Sequence, residues 1–299
     1  MGKKALAWSA VASLLVVFAA IQFVPSPPLQ VPAQLPAPER AAHRLLNFEG
    51  IHNFRDLGGY PAADGRRVRW GVLYRSGTLA HATRQDLEGL AGLGLRTLVD
   101  FRSAQEKVEE PNRLPDPLPF EVVDIPTLDD ANQALVGEIF ARIESGDFDG
   151  FDPGATMISA NRQFATEFTP QFRQFLQQVL AAQGAPVAWH CSAGKDRTGW
   201  AAAVLLRILG VPEDVVMRDY LASAAPSIES RSNQLRLLRL FKGDQAADKL
   251  AVLMGVEAPW LQAGFDEVQR SWGGFDAYVR DGLGLSEADV TRLRATLLQ

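Results

Sequence analysis

The chain has 299 residues, 47% hydrophobic and 22% charged, enough to bury one sizeable core with additions around it. A formal net charge of −5 argues against a general nucleic-acid binder. The single cysteine excludes an intrachain disulfide, and the four histidines (His43, His52, His81, His190) lack metal-ligand spacing, so no metal and no other cofactor is expected.

Met1–Val24 opens with Lys3 and Lys4 and continues as an apolar run from Ala5, broken by Ser9, Ser13 and Gln22. Twenty residues at about 1.5 Å each just cross a bilayer core, and the two lysines would stay in the cytoplasm. An uncleaved anchor and a cleaved signal peptide both fit. In either case the body is expected outside the cytoplasm, membrane-anchored (periplasmic) or secreted. Pro25–Pro38 holds six prolines and almost no charge, so residues 25–44 are expected as a stiff spacer, with the globular body starting near Leu45.

Arg66–Trp70 and Val72–Tyr74 are short β-like runs about Gly71, which predicts a hairpin. Arg55, Asp56 and Arg75 are expected as ion pairs bracing the adjacent Gly58-Gly59 turn. Thr83 and Asp86 start a helix over Thr83–Gly92. Leu95–Phe101 then reads as a strand inside a parallel sheet. Asp100, at its carboxyl end, either lines a ligand crevice or caps a neighbouring helix. Phe120–Ile125 is another short strand, followed by an acidic, glycine-bearing stretch with Asp129, Asp130 and Asp152. Thr169-Pro170 begins a helix whose stripe of Phe172, Phe175, Leu176, Val179 and Leu180 is core packing.

The stretch with most chemistry is Val187–Trp200, Val-Ala-Trp-His-Cys-Ser-Ala-Gly-Lys-Asp-Arg-Thr-Gly-Trp. An apolar β run delivers His190 and Cys191 into a turn of small residues, and a helical apolar pattern starts directly after Arg197. A strand–loop–helix junction is an anion site, because free backbone N–H groups and the positive helix end converge there. The same field would stabilise a thiolate at Cys191. Arg197, at Cys-x5-Arg spacing, offers a planar fork to two phosphate oxygens. Ser192, Ala193, Gly194, Lys195, Asp196 and Arg197 are the candidate phosphate-binding residues. Pro212 starts a further helix. Ser230–Lys242 is a basic amphipathic segment within a stretch, Ser227–Met254, that looks inserted. Trp260–Gln299 supplies closing helices.

His-Cys-Ser-Ala-Gly-Lys-Asp-Arg-Thr-Gly resembles the signature of the cysteine-dependent protein tyrosine phosphatases, and is closest to their atypical bacterial branch of tyrosine, dual-specificity and lipid phosphatases. Asn-Phe-Arg-Asp-Leu-Gly-Gly, Tyr74-Arg75-Ser76-Gly77 and Val-Asp-Phe-Arg-Ser are also similar to it, so the resemblance spans Leu45–Gln299. It implies an α/β fold, a central mainly parallel sheet flanked by helices, with residues 227–254 as a helical lid. It implies hydrolysis of phosphate monoesters through a cysteinyl-phosphate, with Cys191 as nucleophile and Arg197 as clamp. Asp196 is the general acid that the resemblance suggests, with Asp100, Asp129, Asp130 and Asp152 behind it. Thr198 would donate to the sulfur, and His190 would order the loop. Lys195 favours strongly anionic substrates, so the expected partners are phosphorylated proteins or phosphoinositides, and a membrane through the N-terminal segment. The rival classes are a tethered non-catalytic phosphate-binding module and another single-cysteine enzyme such as a sulfurtransferase.

Overall fold

The computed structural model describes residues 27–127 and 130–299. Its strands are β1 (Arg55–Asp56), β2 (Leu73–Ser76), β3 (Thr97–Asp100), β4 (Glu121–Asp124) and β5 (Val187–His190), forming one sheet in the order β1–β2–β5–β3–β4. β2, β5, β3 and β4 are mutually parallel, and β1 runs antiparallel to β2. Between and after them come α1 (Arg84–Gly92), α2 (Ala104–Glu109), α3 (Asp130–Ser145), α4 (Pro153–Phe164), α5 (Thr169–Ala181) and α6 (Arg197–Ile208). α7 (Glu213–Leu221), α8 (Ala224–Ser230), α9 (Ser232–Lys242), α10 (Asp244–Met254), α11 (Ala258–Trp272) and α12 (Glu287–Leu297) complete the chain. This is the expected α/β architecture, a mainly parallel sheet with helices on both faces.

Alternation along the central strands builds two cores, because successive side chains leave a strand on opposite faces. Leu73, Val99, Val187 and Trp189 join α5 and α6 in the larger one, where Phe175 lies edge-on to Trp189 at 5.0 Å. Tyr74, Leu98 and Ala188 face the other way, onto Phe54, Leu79, Leu90 and Leu93. Emptying such a site, as in Trp189→Ala, costs about 3–5 kcal/mol. Ser76 and Asp100 both pair in register with His190, so the carboxyl ends of the three central strands emerge side by side. That edge is where parallel sheets place their ligands, and Cys191 is the next residue.

Several local expectations change. No hairpin forms about Gly71. Arg67 and Arg69 instead pair with the C-terminal residues Gln299 and Leu297, while Gly71 donates its N–H to Asp56. The Trp70 indole lies against Gly58 and Gly59, where any Cβ would clash with it, so the Gly-Gly turn exists to admit that ring. The acidic stretch is mostly helical (α3 and α4), and Asp152 caps α4 through the Ala155 N–H, with Pro153 in the first turn. The described part of the proline-rich stretch does not stand clear of the body: Leu29 and Val31 pack on the second core, and Gln30 N–H donates to Asn47. The apolar segment Met1–Val24 lies outside the described residues. Among those described, no helix is long and apolar enough to cross a membrane.

α8, α9 and α10 fold over the sheet's carboxyl edge with a satellite core of their own, in which Phe148, Phe151, Leu238, Ala246 and Leu250 are buried. This places the residues read as an insertion beside the Cys191 loop.

Candidate active site

The loop Cys191–Asp196 leaves β5 and enters α6 with its backbone pinned from behind. Gly194 adopts φ +70°, and a Cβ there would come within 2.4 Å of Ser76 and Gly77 backbone atoms. Only glycine combines that left-handed conformation with that approach. The Gly194 carbonyl accepts from Asn53 Nδ2 at 2.9 Å and Arg75 at 3.0 Å, and the Ser192 carbonyl accepts from Thr78 N–H at 3.0 Å. With these carbonyls bonded backward, the Gly194 N–H points inward at Cys191 Sγ at 3.3 Å.

Arg75 is itself held. Its guanidinium and that of Arg55 both pair with Asp219 of α7, at 2.7 and 3.0 Å, in full burial. Burial alone would raise the Asp219 carboxyl, but the Arg55 and Arg75 charges hold it well below the usual range. The ion pairing expected among Arg55, Asp56 and Arg75 is therefore redirected. Asp56 accepts instead from Gly58 N–H and Gly71 N–H, and burial pushes its pKa up to about 6.

Arg197, the first residue of α6, is gripped in bidentate fashion by Glu106, with Nη1 and Nη2 at 2.8 and 2.7 Å from its two oxygens; Nη1 also donates to the Phe101 carbonyl. Glu106 further accepts from Ser192 Oγ and from Ser103 N–H, the latter as the capping box of α2. Burial works against its charge, yet the Arg197 pair and these donors prevail and hold it down at about 2. Glu106 reciprocally raises Arg197 against the pull of desolvation.

Lys195 and Asp196 pair with each other at 2.8 Å, and the Lys195 ammonium lies over the Trp260 ring. His190 is fully buried. Its Nδ1 faces the Cys191 carbonyl at 3.2 Å, and its Nε2 faces Asn112 Nδ2 at 3.3 Å and Asp100 at 3.5 Å. Burial drives it down to about 4 despite Asp100, so the ring is neutral near pH 7 and orders the turn into the loop. Thr198 Oγ1 is buried without a partner among the described residues. Asp100 neither lines the cleft nor caps a helix: it is buried, bound by Arg102 through N–H and guanidinium and by Asn112. Asp152 is engaged as the cap of α4, and Asp129 lies outside the described residues, as does the side chain of Asp130.

Above the loop opens a cleft of about 530 Å³. Ser192, Ala193, Lys195, His52 and Arg231 line one part; Ile139, Ile143, Leu250, Leu253 and Met254 line another. The size suits a substrate side chain or headgroup.

The model of the tyrosine phosphatase family matches residues 46–299. The chain belongs to that family. The phosphatase is 31% identical over 279 residues to the triple specificity protein phosphatase PtpB of Mycobacterium tuberculosis, a match covering 85% of this chain and 99% of that protein. A Cupriavidus necator relative, a tyrosine-protein phosphatase by name, is 38% identical over 253 residues, 85% of this chain and 88% of its own. The solved structure of P. aeruginosa TpbA overlays 60% of this phosphatase and 91% of its own chain at a TM-score of 0.30 and 20% identity, too slight an overlap to argue from.

Sequence reasoning missed Glu106, Asn53 and Asp219 as parts of the site's framework. Ser103-x-x-Glu106, directly after a strand that ends at the crevice, was the available signal for the first. Asp219 gave none beyond an acid beside the apolar Val215, Val216 and Tyr220 of its helix.

Proposed function

We propose that the phosphatase works in two steps with Cys191 as nucleophile, Arg197 and the loop N–H groups as phosphoryl cradle, and Asp196 as acid and then base. In the first step Sγ attacks phosphorus; the S–P bond forms as the ester P–O bond breaks, and Asp196 protonates the leaving oxygen. In the second step Asp196 takes a proton from water as it attacks, the S–P bond breaks, and inorganic phosphate and the thiolate are released. The observation that carries this reading is the pairing of an inward-facing loop, Gly194 N–H toward Cys191 Sγ, with a guanidinium fixed by Glu106. Donors already in place need no rearrangement as charge builds on the phosphoryl oxygens.

The substrates proposed are phosphotyrosine proteins and phosphoinositides. Support comes from the cleft, which joins an apolar wall to the phosphate loop, and from a relative named for triple specificity. The test is phosphate release by the full chain, in detergent with chelator, from phosphotyrosine peptide, phosphoserine peptide and phosphoinositide. Comparable turnover of peptide and lipid supports the reading; turnover of phosphoserine peptide alone refutes it. The proposed location is outside the cytoplasm, tethered by Met1–Val24, on the strength of Lys3, Lys4 and the apolar run that follows. The intact mass of the membrane-fraction protein tests it, since loss of these residues would establish cleavage.

A further inference from the structure

One face of the lid is not used by phosphate chemistry. In α9, Leu237, Leu240 and Phe241 stand at i, i+3 and i+4 and so share a face, where they are 57%, 74% and 73% exposed. The other side of the helix is committed. Leu238 is buried among Phe148, Phe151 and Leu250, and Leu235 packs beside it. A contiguous exposed ridge of large apolar side chains marks a surface that something covers.

The charge around the ridge identifies the cover. Residues 232–242 contain Arg236, Arg239 and Lys242 and no acid, within a chain of net charge −5. Arg239 is neutralised by Asp244 and Asp248. Arg236 and Lys242 are exposed and carry no ion pair among the described residues. A polar, cationic helix with one apolar ridge is the form that lies in the headgroup layer of an anionic bilayer. A second copy packed ridge to ridge would bring like cations together.

We propose that α9 docks on anionic phospholipid bilayers, with Leu237, Leu240 and Phe241 entering the interface and Arg236 and Lys242 meeting lipid phosphates. Asn233 and Gln234 of the same helix line the cleft beside the phosphate loop, so docking brings that cleft to the headgroup layer. The inference stands on α9 itself and not on the catalytic reading, because vesicle contact is measured apart from turnover.

The test labels the full chain carrying Cys191→Ser and Phe241→Cys with an environment-sensitive fluorophore. A second protein carries Cys191→Ser and Arg292→Cys, a position on α12 whose side chain is 61% exposed. Both retain the N-terminal apolar segment, so any tethering by it is common to the two. With phosphatidylglycerol-containing vesicles the label at 241 should shift to the blue and the label at 292 should not. Arg236→Glu or Lys242→Glu should weaken the vesicle response roughly tenfold. Adding Leu240→Asp should abolish it, while Leu240→Asp alone keeps hydrolysis of a soluble aryl phosphate within about twofold, showing an intact fold. No shift at 241, an equal shift at 292, an equal shift with neutral vesicles, or a shift that survives Leu240→Asp would each overturn the proposal. A concentration-dependent shift without vesicles would overturn it in favour of a second copy.

Discussion

Replacing Glu106 by Gln would remove the charge that fixes Arg197 while leaving one accepting oxygen in place of two. The pair is largely buried, at 11% and 18% side-chain exposure, so solvent screens it little. Displacement of the carboxyl from 4.5 to about 2 corresponds to about 3 kcal/mol of folded-state preference for the charged form. Because the glutamine retains one acceptor, the expected loss at pH 7 is about 2 kcal/mol, or roughly 4–8 °C in Tm for a domain of this size. The folded pKa is depressed, so this contribution is complete above about 4.5 and disappears as pH falls toward 2. The stability gap between wild type and Glu106→Gln, measured by urea unfolding, should therefore be widest at pH 7 and mostly closed by pH 3. Activity should fall more steeply than stability, with kcat on a soluble aryl phosphate down about 10- to 100-fold, since a misplaced clamp no longer meets the phosphoryl oxygens. An unchanged kcat together with a stability gap flat across pH would show that Glu106 does not hold the Arg197 clamp.

Other substitutions probe separate parts of the account. Asp196→Asn should slow phenyl phosphate turnover about 10²- to 10⁴-fold yet barely affect a dinitrophenyl ester, whose leaving group needs no proton; equal losses would assign the acid elsewhere. Gly194→Ala should cost more than about 2 kcal/mol and abolish turnover, as its Cβ meets Ser76 and Gly77 backbone. Melting temperature and phosphate release check both effects. For His190 the folded pKa, about 4, lies below the unfolded 6.5, so its contribution is complete above 6.5 and is lost as pH falls to 4. The stability of wild type relative to His190→Gln should accordingly drop by about 2–3 kcal/mol between pH 7 and 4.5; a constant difference would show that the ring is not held neutral.

The elements that position Cys191 were legible because their signals are local. Val187–Trp189 is an apolar run ending in small residues, Thr83 and Asp86 form a capping box at the start of α1, and Phe172, Phe175 and Val179 make a helical stripe. What escaped the reading depends on partners far along the chain. Glu106 accepts the Ser103 N–H of a local cap and, with the same carboxylate, a guanidinium 91 residues away. Asp219 reaches Arg55 and Arg75 across 164 and 144 residues, so the pairing expected between neighbouring Arg55 and Asp56 gave way to a longer-range one. Gly71 reads as a hairpin turn because its flanks are β-like, yet residues 66–69 pair with 59–62 on one side and with the last residues of the chain on the other. Asp152 stands among the candidate acids in the sequence, although Asp-Pro at a helix start is itself a capping signal. Charge density obscured it.

Turnover through Cys191 requires a covalent bond between its sulfur and phosphorus. Rapid-quench mass spectrometry of the full chain during turnover of a phosphotyrosine peptide tests it most directly. The expected result is the added mass of a phosphoryl group on the peptide containing Cys191, absent from Cys191→Ser, which still binds the phosphopeptide without releasing phosphate. Phosphate release that persists in Cys191→Ser, or an adduct on any other residue, would contradict it.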